Sequence, residues 1–188
     1  MSFAYSWKKG RADYSRKRLG NLPLTQTAEK VLKLLKEGGF KATISGGYAV
    51  QHHGYPRFTE DIDIIVDRRN EANEYLSIRG FKETSSLMVM YDRENGIEIN
   101  LLQSGAVLSP KSLPTPEPKE DILDLPELIS NKLSSYFNNK GKRAKDLGDV
   151  SELIQRNQLP RDFQVHPEYQ KEYEELWDSI QSDHAVIS

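Results

Sequence analysis

The chain has 188 residues, 37% of them hydrophobic, 9% aromatic and 29% charged, with 26 Lys plus Arg set against 28 Asp plus Glu for a net charge of −2. That length suits one globular domain or a domain with an appendage, and the apolar fraction is enough for a core, which excludes wholesale disorder. No run is apolar for long enough to cross a membrane as a helix, Met1–Gly20 lacks the apolar segment of a secretory signal, and the absence of cysteine removes disulfides and thiolate metal ligands, as expected of a cytoplasmic protein.

The balanced total conceals an uneven distribution. Met1–Gly20 carries Lys8, Lys9, Arg11, Arg16, Lys17 and Arg18 against Asp13 alone, a net of +5. Arg161–Ser188 carries Arg161 and Lys171 against Asp162, Glu168, Glu172, Glu174, Glu175, Asp178 and Asp183, a net of −5. A basic arm can meet nucleic acid, remain solvated, or dock on the acidic segment of its own chain.

In chain order, Thr25 can cap a helix whose apolar stripe is Val31, Leu32, Leu34 and Leu35 and which Gly38-Gly39 stops. Ala42–Ser45 reads as a short buried strand, and Gly46-Gly47 turns the chain into a short helix, Tyr48–His53. After the His53-Gly54-Tyr55-Pro56 loop, Asp61–Val66 is a strand rich in β-branched residues. Asn70–Ile78 reads as a helix ended by Gly80, and Leu87–Tyr91 and Ile97–Leu102 as strands joined around Asn95-Gly96. Gln103–Lys119, with Pro110, Pro114, Pro116 and Pro118, is a long loop expected to cover a face or to link two parts. Helices follow: Leu128–Asn138 behind an Asp124/Glu127 capping pair, Ala144–Arg156, and Pro167–Gln181 with a core-facing stripe of Tyr169, Tyr173, Leu176, Trp177 and Ile180. The pattern is α/β first and all-α second, so we expect a basic arm over 1–20, an α/β core over 21–120 with a small mixed sheet flanked by helices, and a helical part over 121–188.

The chemistry concentrates in Ile44–Val66. Asp61 and Asp63 are two apart on a strand and share a face, while Ile62 and Ile64 point the other way. Adjacent carboxylates repel unless a cation lies between them, and hard oxygen donors suit Mg²⁺ or Mn²⁺. Ser45-Gly46-Gly47, a strand running into a helix, lets backbone N–H groups approach a phosphate closely. Together the two motifs make a phosphate cradle facing a metal site, the geometry used to clamp a transferring phosphoryl group.

Gly46-Gly47, thirteen intervening residues, then Asp61-x-Asp63 on a strand resembles the signature of the polymerase-beta-like nucleotidyltransferase superfamily. Arg57-x-Thr59-x-Asp61-Ile62-Asp63 is similar to the form of small bacterial members, including abortive-infection toxin nucleotidyltransferases. Leu128–Leu133 followed by Arg143-Ala144-Lys145-Asp146-Leu147-Gly148-Asp149 resembles their C-terminal helices, so the likeness covers roughly Thr25–Gln155.

The resemblance implies transfer of a nucleoside monophosphate from an NTP to an acceptor hydroxyl. Ser45, Gly46 and Gly47 bind the phosphates, Asp61 and Asp63 hold the metal, Lys132 neutralises triphosphate charge, and Lys145, Asp146 and Asp149 line the cleft. It makes an RNA acceptor, such as a tRNA 3′ end, the first choice, a protein or small molecule the next, and an antitoxin a partner.

The chain departs from the family pattern at the third carboxylate, where Asn100 stands. Asn is neutral and cannot act as a base. Three readings stay open: Glu98, two residues earlier on the same strand face, completes the metal site in its place; two aspartates suffice; or the chain binds a nucleotide or RNA without transferring anything. Among other residues, His52 and His53 are read as a helix end, and Arg57 as a partner for either a phosphate or Glu60. The cluster Lys140, Lys142, Arg143 and Lys145 is open to triphosphate, to an RNA backbone or to solvent. Tyr5, Trp7 and Tyr14 interleave with the basic arm, where bases could stack.

Overall fold

A computed structural model describes residues 22–84, 89–110 and 112–187, with side chains as far as 182. The basic arm and its aromatics lie outside the described residues, and so do Leu87 and Met88 of the expected third strand.

The elements are α1 (Leu22–Glu37), β1 (Ala42–Ile44), α2 (Gly46–His52), β2 (Asp61–Val66), α3 (Arg69–Ser77), β3 (Phe81–Glu83), β4 (Val89–Asp92), β5 (Glu98–Gln103), α4 (Leu125–Asn138), α5 (Ala144–Asn157) and α6 (Gln170–Ile187), the last preceded by a 3₁₀ turn at Pro167–Tyr169. Five strands form one sheet in the order β1-β2-β5-β4-β3. Only β2 and β5 are parallel; the other neighbours run antiparallel. A parallel pair needs a crossover, and here it is supplied by α3 and the β3–β4 hairpin.

Several boundaries differ from those read in the sequence. Thr25 lies inside α1, which already begins at Leu22, so it does not cap the helix. Strand β3 was not anticipated: it is three residues long, two of them exposed and charged, and leaves no alternating apolar pattern. Helix α4 starts at Leu125, with the Asp124 side chain accepting from the Glu127 N–H at 2.9 Å and Pro126 in the first turn, where a missing N–H costs nothing. Helix α5 ends on Gln158 in the left-handed conformation, φ 51°, and α6 runs on to Ile187.

The alternation of β2 and β5 sorts the two faces of the sheet. Ile62, Ile64 and Val66, with Ile99 and Leu101, enter a core shared with α1, α3 and β4. Asp61, Asp63 and Ile65, with Asn100 and Leu102, turn to the other face. A second apolar cluster joins Ala49 and Val50 of α2 to α4, α5 and the Tyr169, Tyr173 and Ile180 stripe, which is core as expected. Burying side chains of this size favours the folded state by about 1.5–3 kcal/mol each. Ile122 touches both clusters, and its strand-like segment runs beside β1, with the Ile44 N–H donating to Asp121 O and the Leu123 N–H to Ile44 O. The proline-rich loop therefore returns the chain along the sheet edge before the helices begin. Among the described residues no helix is long and apolar enough to cross a membrane.

Candidate active site

Strand β1 ends where the chain must swing sharply into α2. The Ser45 N–H donates to Asp63 O at 2.8 Å, and Gly46 adopts φ +57°. A Cβ on Gly46 would lie 1.8 Å from Asp63 Oδ2, and one on Gly47 would lie 2.5 Å from Thr59 Oγ1 and 2.7 Å from a terminal nitrogen of Arg57. The two glycines are thus required by space, and Gly46 also by backbone conformation. The Ser45 hydroxyl makes no capping bond to α2 and lines the cleft that opens there.

The parallel register sets Asp61 opposite Glu98 and Asp63 opposite Asn100. The Asn100 carboxamide donates from Nδ2 to Asp61 Oδ2 at 3.2 Å and to Asp63 Oδ1 at 3.0 Å, while the Thr59 hydroxyl donates to Asp61 Oδ1 at 3.0 Å. Burial and the neighbouring Asp61 carboxylate push the Asp63 carboxyl above its ordinary value, opposed by the Asn100 hydrogen bond and by the charges of Lys132 and Arg57. Two carboxylates thus share one hydrogen-bonded group, an arrangement that a cation between them stabilises. The donors also fit a hard cation: two carboxylates, with a carboxamide whose oxygen faces them if the amide turns over.

Glu98 lies apart from this group. It accepts from the Tyr91 hydroxyl at 3.3 Å, and among the described residues no three His, Cys, Asp or Glu side chains gather into a group able to hold a metal ion. The structure therefore groups Asp61 and Asp63 with Asn100, and leaves Glu98, opposite Asp61 in the register, outside that hydrogen-bonded group.

Facing the carboxylates across a cleft of about 380 Å³ is the helical part. Lys132 on α4 is buried, with Nζ 2.9 Å from Asp146 Oδ1 and 2.6 Å from Asp149 Oδ2 on α5. Arg57 reaches over from the loop before β2, its Nε 3.0 Å from Asp149 Oδ1; this ion pair, rather than one with Glu60, fixes it. Lys142, Arg143 and Lys145 also line the cleft, and Arg143 lies 3.8 Å from Asp146. Asp149, 2% exposed, holds both Lys132 and the half-buried Arg57 and does not line the cleft itself. Its role was invisible in the sequence because its partners are 17 and 92 residues away. His53 bonds through Nε2 to Leu123 O at 2.8 Å and stands at the end of α2, as its sequence context indicated.

A sheet carrying paired aspartates beside a glycine turn, with cations closing the cleft from a helical part, is an arrangement that can be compared with known structures. The chain is similar to the solution structure of the antibiotic-resistance factor ANT(2'')-Ia, an aminoglycoside nucleotidyltransferase, with TM-score 0.51 and 14% identity over 88% of this chain and 96% of that one. The fold is a nucleotidyltransferase fold. No family model and no curated protein matches the sequence. The expectation of an α/β nucleotidyltransferase architecture with a helical C-terminal part is met, and the nucleotidyltransferase fold extends beyond the motif-bearing stretch to nearly the whole chain.

Proposed function

We propose that the protein transfers a nucleoside monophosphate from an NTP to an acceptor hydroxyl and releases pyrophosphate. The observation that carries this reading is the approach of the Gly46 turn to Asp63 in a cleft that Arg57 and Lys132 close from the opposite side. The Ser45 hydroxyl, the backbone N–H groups of Gly46 and Gly47 and the cationic wall of Arg57, Lys132 and Lys145 bind the triphosphate. Asp61 and Asp63 hold Mg²⁺ or Mn²⁺, with Asn100 beside them. When bound, that cation supplies charge neutralisation at the phosphoryl oxygens and orients them for in-line displacement. The acceptor oxygen forms the new bond to the α-phosphorus while the bond from that phosphorus to the bridging oxygen of pyrophosphate breaks, and Glu98 takes the acceptor proton. Positioning and charge stabilisation provide most of the rate in such transfers.

Labelled NTPs with Mg²⁺ and pooled acceptors test the reading. Transfer that disappears in Asp61→Ala/Asp63→Ala supports it. Glu98→Gln is expected to cut transfer by about 100-fold or more while leaving NTP binding intact.

A second reading, nucleotide binding without transfer, is favoured by Asn100, whose amide already bridges both aspartates. Under it, wild type binds NTP and labels no acceptor, whereas Asn100→Asp restores an anionic ligand and tightens Mn²⁺ binding about tenfold or more. The motif likeness to abortive-infection enzymes supports an RNA acceptor and a toxin role with an antitoxin partner; growth arrest on expression, relieved by Asp61→Ala/Asp63→Ala, is what that version requires.

A further inference from the structure

Asn100 holds the two aspartates by its nitrogen alone, with Nδ2 donating to Asp61 Oδ2 at 3.2 Å and to Asp63 Oδ1 at 3.0 Å. The neighbours demand that orientation, because the amide oxygen turned to the same place would meet two carboxylate oxygens. It is the wrong orientation for a hard cation, which takes oxygen donors and is repelled by an N–H group. A carboxamide at this position therefore has two arrangements, and whatever lies between the aspartates decides which is stable. We propose that Asn100 makes cation uptake conditional on nucleotide: its amide closes the carboxylate pair in the free protein, and turns its oxygen inward only when a divalent cation arrives together with the phosphates of an NTP. The proposal rests on the nucleotide and metal part of the transfer reading above and names the regulation of that same site.

The turn needs no movement of the backbone. Asn100 lies on β5, the central strand, paired with Asp63 of β2 on one side and Val89 of β4 on the other, so its main chain is held from both edges. Rotation about Cβ–Cγ exchanges Nδ2 with Oδ1, and for asparagine that torsion is broad and roughly two-fold. Asp61 keeps a separate support throughout, the Thr59 hydroxyl at 3.0 Å.

Charge explains why the nucleotide is needed. Two carboxylates and a neutral amide carry two negative charges, and Mg²⁺ gives up its water reluctantly for so small a donor set. Entering alone, it has to displace two hydrogen bonds to charged acceptors, which are stronger than neutral ones, and to face Arg57 and Lys132 in the same cleft wall. Phosphates change both sides of that balance. The Gly46 turn, which runs against the Asp63 carboxylate, seats them beside the pair; they add anionic oxygens and take up the charges of Arg57 and Lys132. An aspartate at position 100 would remove the condition, since three carboxylates repel one another until a cation joins them. With Asn100, cation and nucleotide are linked, each raising the affinity for the other by the same factor.

The test is read on the amide itself. In the full chain labelled with nitrogen-15, the side-chain NH₂ signals of Asn100 are followed by NMR with Mg²⁺ alone, with each of the four common NTPs in EDTA, and with Mg²⁺ and NTP together. The downfield shift that bonding to carboxylates produces is expected to be lost only in the last case, for at least one NTP. In parallel, electron paramagnetic resonance measures Mn²⁺ binding to nucleotide-free protein, where Asn100→Asp is expected to bind about tenfold or more tightly than wild type for the added ligand charge. The proposal is overturned if Mg²⁺ alone or NTP in EDTA releases the amide, if Mg·NTP binds without releasing it, or if a folded Asn100→Asp binds Mn²⁺ no better than wild type. The wild-type spectra decide the matter should that variant fail to fold. Failures separate: an amide that turns with Mg·NTP while no acceptor is ever labelled keeps this device and sinks the transfer reading, label transferred by a protein whose amide never turns does the reverse, and absence of NTP binding sinks both.

Discussion

Gly46 combines two demands that no other residue meets. Its φ of +57° costs an L-residue about 1–2 kcal/mol, and a Cβ there would sit 1.8 Å from Asp63 Oδ2. The carboxylate, not the backbone, is the softer party and would be displaced. Gly46→Ala is therefore expected to lower transfer by about 100-fold, the cost typical of misplacing a reacting group by an ångström, with only a small drop in melting temperature. A large melting shift with unchanged activity would show that the close approach serves folding and not the site. The Gly-Gly turn and the aspartate pair were both legible in the sequence, because glycine spacing and strand alternation are local. The Asn100 bridge was not. Sequence reading marked it as a missing ligand, while the geometry makes it the group that holds Asp61 and Asp63 together when no cation does.

At the scale of elements, α1 is fastened to the β4–β5 turn through one buried carboxylate. Asp92 is fully buried and accepts from the Thr27 hydroxyl at 2.8 Å, Lys30 Nζ at 3.0 Å, the Asn95 side chain at 3.1 Å and the Glu94 N–H at 3.1 Å. Burial pushes its pKa up, but the hydrogen bonds from Lys30, Thr27 and the Glu94 backbone prevail and hold it below the ordinary value. A carboxyl lowered in the fold adds stability that is present above its unfolded pKa of about 3.9 and is lost as pH falls through the lower folded value. Asp92→Asn is thus expected to reduce the urea midpoint at pH 7 and to match wild type more closely near pH 2; a pH-independent difference would mean that packing, not charge, is lost. Asp92→Ala, which strands Thr27 and Lys30, is expected to cost about 3–5 kcal/mol. Sequence patterning found both elements, since the stripe of α1 and the Asn95-Gly96 turn are short-range signals. It could not find their tie, which joins residues 62 and 65 positions apart.

Across the whole molecule, the sheet and the helical part are joined by apolar contact along α2 and Ile122 and by one buried ionic bridge, Arg57–Asp149–Lys132. Both cations of the bridge also line the cleft beside Asp61 and Asp63, so the contact that joins the two parts also fixes charges in the cleft wall. The exposed cluster of Arg161 with Glu174 and Asp178 is a useful contrast: it lies in water, is screened by salt and contributes little. Asp149→Ala leaves Arg57 without its anion and Lys132 with Asp146 alone, and the loss of one member of a buried pair costs about 3–5 kcal/mol. Stability alone does not identify the role, because any buried change lowers it. The informative measurement is a double-mutant cycle on Mg·ATP affinity with Asp149→Asn and Arg57→Lys, which keep size and, for lysine, charge. If Asp149 aims Arg57 at the triphosphate, the two substitutions together weaken binding no more than the worse of them alone, a coupling of about 1 kcal/mol or more. If the bridge only fastens the two parts, nucleotide affinity in the folded fraction stays within twofold of wild type in both single variants, and melting temperature alone moves. Raising NaCl from 0.1 to 0.5 M is expected to leave the melting temperature of wild type nearly unchanged, because the buried bridge resists screening, while weakening any nucleotide binding that engages the exposed Lys142, Arg143 and Lys145.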